Sequence, residues 1–199
     1  MLKPPANNIL VKCTDTMEST MSYGELTIEL DTSFEPDWHR KIHAEVVALP
    51  ERIDSDFYAL NNMEPVVKIG DRIFFHYLSL TDGNKIIYGG EEYYLVEYFQ
   101  VFAVERAGEF FPINGVILLE QIVDNPNISE TGILLGAFSK TSEQVGRVAF
   151  ASKPLKGMPD VKLETGEVLA YSRSSDFKNN FNGEEYLTMT YADIVAKIK

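Results

Sequence analysis

Cysteine is nearly absent from this chain: Cys13 is the single one in 199 residues. An internal disulfide and a multi-cysteine metal site are therefore both excluded, which fits a reducing compartment. Basic side chains are also scarce. Eighteen Lys and Arg face 30 Asp and Glu, leaving a net charge of −12. A surface of that sign repels phosphate backbones and anionic lipid, so nucleic acid and membranes make poor partners, and the plain use of the charge is solubility. No run approaches the ~18 continuous apolar residues of a membrane helix. Met1-Leu2-Lys3-Pro4-Pro5 is followed by no apolar signal segment, and without one Asn127-Ile128-Ser129 is a chance match to a glycosylation acceptor. The expected location is cytoplasmic, in a bacterium or, for a viral source, in its host.

Catalytic signatures are missing as well. There is no Gly-x-Gly-x-x-Gly, no Gly-x-Ser-x-Gly elbow and no P-loop. His39 and His43 have the spacing of two ligands on one helix face, with Asp37 and Glu45 near, but histidines in a polar loop are ordinarily solvated. His76 stands in an aromatic stretch as a half-buried structural residue. Trp38 could anchor a partner, although a local staple within its loop is the simpler use. The residues thus assign no catalytic group, no metal and no cofactor.

What the chain does have is an echo of itself. Gly90-Glu91-Glu92-Tyr93 and Gly183-Glu184-Glu185-Tyr186 begin two matching runs at a constant offset of 93 residues. Tyr94, Val96, Tyr98 and Val101 stand opposite Leu187, Met189, Tyr191 and Ile194, so apolar character persists where identity is lost. Upstream, Val67-Lys68-Ile69-Gly70-Asp71-Arg72-Ile73 is answered by Val161-Lys162-Leu163 and Gly166-Glu167-Val168-Leu169, and Asn8-Ile9-Leu10-Val11 by Gly115-Val116-Ile117-Leu118. An echo of this length implies two copies of one small domain, residues 1–106 and 107–199, each large enough to bury a core.

The pattern within each copy is strand and turn. Arg72–Tyr77 is aromatic and β-branched, Asp82-Gly83 is a favoured hairpin pair, and Lys85–Tyr88 resumes a strand before Gly89-Gly90 turns again, which predicts a β-meander. Ala44–Leu49 and Gly146–Ala151 give each copy a middle strand. Ile194–Ile198 fits helix or strand by periodicity, and its strand-rich counterpart Val101–Val104 decides for strand. Two less regular segments, 14–41 and 124–144, follow the first strand of each copy and read as long mobile loops. In the second, Gly132 precedes Ile133-Leu134-Leu135. An apolar triplet in a polar loop is suited to a partner's groove rather than to its own core.

This order of motifs resembles the GroES family of co-chaperonins: a first strand, a loop with glycine and three aliphatics, a middle strand, a Val-Lys-x-Gly-Asp element, an acidic turn and a final strand. The resemblance implies two tandem small irregular β-barrels, all-β, in a homo-oligomeric ring. It implies as partner a GroEL-like chaperonin that binds the ATP itself, so that this chain assists ATP-dependent folding without binding nucleotide. By the same resemblance Ile133, Leu134 and Leu135 match the docking tripeptide. In copy one Gly24-Glu25 precedes Leu26, Thr27 and Ile28, a triplet with a polar centre. Pro50–Met63 and Ser152–Asp160 match the family's roof loops at unequal lengths. The alternative is a ring, adaptor or capsid-associated protein of the same fold without chaperonin docking.

Overall fold

The structure, a computed structural model, describes residues 2–13, 16–17, 19–23, 26–31, 40–123, 141–172, 177–181 and 183–198. It is all-β, with no α-helix among the described residues. The first strands are β1 (Asn8–Lys12), β2 (Thr20–Tyr23), β3 (Leu26–Glu29), β4 (His43–Ala48), β5 (Arg72–Phe75), β6 (Lys85–Tyr88), β7 (Glu91–Glu97), β8 (Val101–Arg106) and β9 (Glu109–Pro112). They are followed by β10 (Val116–Val123), β11 (Thr141–Ala151), β12 (Val168–Tyr171), β13 (Phe177–Phe181), β14 (Glu184–Thr190) and β15 (Ile194–Ile198).

Two compact units result, Met1–Asn114 with Leu155–Gly157, and Gly115–Pro154 with Met158–Lys199. The first holds a seven-stranded sheet in the order β6-β7-β1-β4-β5-β8-β9, the second a six-stranded sheet in the order β13-β14-β10-β11-β12-β15. Strand for strand the two orders agree, apart from β9. Residues 107–114 pack in the first unit because Ala107 and Gly108 both take positive φ and fold β9 back onto β8.

Alternation explains the cores. Ile9, Val11, Val46, Ile73, Val96 and Val104 are buried in the first unit, and Ile117, Leu119, Val148, Leu169, Leu187 and Met189 in the second. Side chains two apart along a strand share a face, so each strand supplies one apolar row. The equivalence extends to irregularities. Between β5 and β8 the register shifts at Phe74/Phe75, and between β12 and β15 it shifts at Ala170/Tyr171. A 3₁₀ turn separates β7 from β8 at Tyr98–Gln100 and β14 from β15 at Tyr191–Asp193.

Register corrects the first-strand alignment by one residue. Ile9 pairs with Val96 and Ile117 with Met189. The counterpart of Ile9 is therefore Ile117, not Val116, and that of Asn7 is Gly115; both of the latter take positive φ. The meander is corrected too. β5 pairs with β4 and β8, whereas β6 pairs only with β7 at the sheet's far side. Asp82-Gly83-Asn84 forms a 3₁₀ turn, and Gly83 keeps out of the positive-φ region that a two-residue hairpin requires. Gly89 and Gly90 do take positive φ, and they join β6 to β7.

One pair of equivalent positions shows how the cores diverged. Val11 and Ala44 in the first sheet correspond to Leu119 and Gly146 in the second. A Cβ on Gly146 would lie 3.0 Å from both Cβ and Cδ1 of Leu119. Gly146→Ala is expected to destabilise the second unit by about 1–3 kcal/mol, the usual cost of overpacking. Adding Leu119→Val should restore most of the loss in a denaturant titration.

Candidate docking site

Both segments singled out for docking leave the sheets at paired positions. In the second unit the ends of β10 and β11 meet at Val123 and Thr141. Residues 124–140, with Ile133, Leu134 and Leu135, depart from and return to these two neighbours and lie outside the described residues. Thr141–Gln144, assigned to this loop from composition, instead belongs to β11.

The first-unit segment departs further from expectation. Residues 14–41 contain an antiparallel ribbon of β2 and β3, with Thr20 opposite Glu29, Met21 opposite Ile28, Ser22 opposite Thr27 and Tyr23 opposite Leu26. Composition hid it, because Ser, Thr and Glu fill the polar register positions and read as loop. Leu26, Thr27 and Ile28 are thus strand residues, and the predicted triplet alternates: Leu26 and Ile28 share one face, Thr27 takes the other. Leu26 is 61% exposed and Ile28 42%, so neither belongs to a core. The same segment holds seven of the chain's 30 acidic residues.

A two-stranded ribbon alone is at best marginally stable in water, so its base matters. Met17 and Arg40 bridge, the Lys41 N–H donates to the Thr16 carbonyl at 2.8 Å, and the Leu30 N–H donates to the Ser19 carbonyl at 2.9 Å. The Arg40 guanidinium donates to the Leu80 carbonyl at 2.7 Å, tying the base to a buried residue of the unit.

The excursion between β4 and β5 in the first unit is packed rather than loose. Ile53 bridges Met63, Ile53 and Leu60 are fully buried, and the Asn7 side chain exchanges two hydrogen bonds with the Asp54 backbone, at 2.6 and 2.9 Å. Tyr58 stacks on Phe99 with centroids 3.7 Å apart, while Phe57 is left 87% exposed.

Each unit clamps its Gly-acid element in the same way. The Gly70 N–H donates to Val46 and the Gly166 N–H to Val148, both at 2.8 Å. The Lys68 N–H donates to the Asp71 carboxylate at 2.6 Å, and the Glu164 N–H to Glu167 at 2.9 Å. A cation from β8 or β15 completes each clamp. Arg106 binds both Asp71 oxygens, at 2.7 and 2.6 Å, and the Val66 carbonyl; Lys197 binds both Glu167 oxygens, at 2.9 and 2.8 Å, and the Lys162 carbonyl. Burial pulls the Asp71 pKa up, but the Arg106 and Lys68 hydrogen bonds outweigh it and hold the group below its ordinary value.

His43 is part of the first sheet. Among the described residues no cluster of His, Cys, Asp and Glu could hold a metal ion. Asp37, Trp38 and His39 lie outside the described residues. His43, on β4, packs edge-on against Phe74 at 5.7 Å; burial first, then Arg72 and Lys41, lower its pKa to about 4. The unfolded chain therefore takes up a proton that the fold refuses between about pH 6.5 and pH 4. Stability should fall as pH drops through that window, by an amount of order 1–3 kcal/mol. Denaturant titrations of His43→Phe should lack this slope.

The strand order, the twin clamps and the paired loop bases are the setting for comparison with known proteins. Residues 109–198 match the family model of the chaperonin 10 Kd subunit. The match supports a GroES-like domain in the C-terminal half of the chain. The matched span comprises the strands of the second sheet and also β9, which packs in the first unit. No curated protein matches the chain. No helix among the described residues is long and apolar enough to cross a membrane.

Sequence reasoning missed the role of residues 107–114. The signal was there: at an offset of 108, Pro4, Ile9 and Leu10 recur as Pro112, Ile117 and Leu118.

Proposed function

We propose that this chain is a tandem co-chaperonin, two GroES-like halves that assemble in a homo-oligomeric ring and cap a GroEL-like chaperonin. The observation carrying the reading is the identity of strand order and register between the first sheet and the family-matched second, including the shared register shift before the last strand. A second half of known family type and a first half built to the same plan support one function for both. Ring assembly and a cytoplasmic location belong to the same proposal.

Docking rests on Ile133, Leu134 and Leu135, carried between Val123 and Thr141. One buried aliphatic side chain contributes about 1.5–3 kcal/mol, and ordering a loop costs several kcal/mol, so a single contact is weak. Several contacts around a ring multiply into useful avidity while allowing release when the partner's groove changes shape. Nucleotide then acts through the chaperonin, with no catalytic group, metal or cofactor on this chain.

Leu26 and Ile28 form a second, different contact. Their ribbon presents two apolar positions on one face in an acidic segment, which favours an apolar groove with a basic rim. This divergence is also what favours the other reading, a ring, adaptor or capsid-associated protein that has lost docking. The test is co-sedimentation with a chaperonin with and without ATP. Nucleotide-dependent binding supports the cap, and no binding in either state leaves the structural ring.

A further inference from the structure

β6 and β13 are edge strands, paired on one side only, with β7 and β14, and no described strand lies beyond them. They correspond at an offset of 93, since Lys85 faces Tyr94 and Lys178 faces Leu187. Their residues have diverged. Lys85-Ile86-Ile87-Tyr88 stands where the second half has Lys178-Asn179-Asn180-Phe181. The Asn179 side chain donates to the Thr188 hydroxyl at 2.8 Å, and that of Asn180 accepts from the Gly183 N–H at 2.8 Å. Phe181 is buried, whereas Ile87 is 70% and Tyr88 54% exposed. Edges are ordinarily blunted by charge, proline or a cover. β6 has none of these, because its one charge, Lys85, is bound to Glu92 at 2.5 Å.

The turn fixes which backbone groups this edge offers. Gly89 and Gly90, both at positive φ, connect Tyr88 to Glu91, and that pair closes a two-residue hairpin. Inward-bonding and outward-facing residues alternate along an antiparallel strand, so Tyr88 and Ile86 bond to β7 while Ile87 and Lys85 turn their backbone outward. The Lys85 N–H agrees with this, since it donates to the Asp82 carbonyl rather than to β7. Ile87 is then the edge's outward donor and acceptor.

We propose that β6 pairs antiparallel with β6 of a second copy of this chain about a two-fold axis at Ile87, with Ile87 opposite the partner's Ile87, Ile86 opposite the partner's Tyr88 and Lys85 opposite the partner's Gly89. The edge itself selects this occupant. Laid antiparallel on itself, it sets each exposed apolar side chain against another, and Lys85 falls opposite glycine and keeps Glu92, so no like charges meet. The adjacent registers are poorer. One centred on Ile86 would set Ile87 against lysine and would need the Lys85 N–H that Asp82 already holds, and one centred on Tyr88 would set Ile87 against glycine.

A two-fold contact is isologous and closes with two copies. Four residues a side bury far less than the ~1,200 Å² of a stable interface, so one such seam is weak. Its strength grows only where an assembly presents several seams at once, because linked weak contacts multiply. The seam thus suits the joining of one assembly to another, and the polar β13 confines it to the first half. The pairing itself rests neither on chaperonin docking nor on the ring proposed above, though a ring would strengthen it.

The test uses the full chain without any chaperonin. In a Cys13→Ala background, Ile87→Cys should oxidise to a covalent dimer at least about tenfold faster than Ile69→Cys, because opposite antiparallel residues fall within disulfide reach. Ile69 is a control of similar exposure, at 63%. Ile86→Cys alone should not cross-link, but mixed with Tyr88→Cys it should form the heterodimer. With Cys13 kept, Ile87→Lys sets like charges face to face. It should halve the mass of the largest assembly seen in sedimentation at high concentration and leave thermal unfolding unchanged. Cross-linking of Ile87→Cys no faster than that of Ile69→Cys, or an assembly mass that Ile87→Lys leaves intact, would overturn the seam. A dimer from Ile86→Cys alone would overturn its register. A halved species that is itself a monomer would support the seam and count against the ring.

Discussion

Leu134→Glu should weaken chaperonin binding by more than about a hundredfold, the largest effect expected of any single change in this chain. The proposal places Leu134 in a dry groove, where an unpaired carboxylate costs several kcal/mol or must take up a proton. Each loop around the ring bears the same loss, so avidity multiplies it. Position 134 lies well away from both cores in sequence, so oligomeric state and thermal unfolding should not change. Thr27→Glu is the companion variant. Thr27 is exposed and stands opposite Ser22 on the polar register positions of its ribbon, not with Leu26 and Ile28. It should therefore bind nearly as well as the unmutated chain, whereas Ile28→Glu should show an intermediate loss. Co-sedimentation with a chaperonin and ATP measures all three, and undiminished binding by Leu134→Glu would leave the structural ring as the better account.

Arg106→Leu is expected to destabilise the first unit by about 2–4 kcal/mol. Asp71 is 3% exposed and would keep the Lys68 amide but lose its bidentate cation, leaving a carboxylate buried with its charge uncompensated. Arg106 is itself about one-third exposed, at 32%, which keeps the expectation toward the lower half of the range for broken buried pairs. Asp71→Asn added to Arg106→Leu should recover part of the loss. In the second unit Lys197→Leu should cost little, since Glu167 is one-third exposed and water replaces the cation. The pH dependence has a definite sign. The folded pKa of Asp71 lies below its unfolded value of 3.8, so its contribution is present above that pH and is lost as pH falls below it. Arg106→Leu should remove this acid sensitivity, and chemical denaturation at pH 7 and at pH 3 is the measurement.

How far the fold was legible depended on whether local chemistry and tertiary context agreed. The strands around Val96 and Met189, the middle strands around Val46 and Val148, and the last strands at Val101 and Ile194 were readable because alternation and the echo at 93 residues pointed the same way. Asp82-Gly83 misled because its composition fits a hairpin, while the chain needed a short 3₁₀ turn to carry β6 across to β7. The first-strand alignment was off by one because Asn7 and Gly115, both at positive φ, are chemically unlike. The ribbon in residues 14–41 was hidden by its polar register positions. Leu26 and Ile28 were legible as apolar residues, but their shared face became visible only with the register. The echo at an offset of 108 marked 109–112 as the counterpart of the chain's first residues, but which sheet they close is set by the turn at Ala107-Gly108 and not by similarity.

Tandem copies of one fold carry a folding hazard, because a strand of one copy can pair with the wrong sheet during synthesis or refolding. The exchange of Val11 and Ala44 for Leu119 and Gly146 works as a lock against it. If β4 paired with β10, the Ala44 methyl would meet Leu119 where only 3.0 Å separates that side chain from an added Cβ. If β11 paired with β1, Gly146 beside Val11 would leave a void. One mispairing is blocked by a clash and the other lacks packing, so the energetic preference for the correct partner is written into two residues per half. A chain in which Gly146→Ala and Leu119→Val made the halves alike would keep both cores while losing that discrimination, and it should refold from denaturant with lower yield than its equilibrium stability suggests.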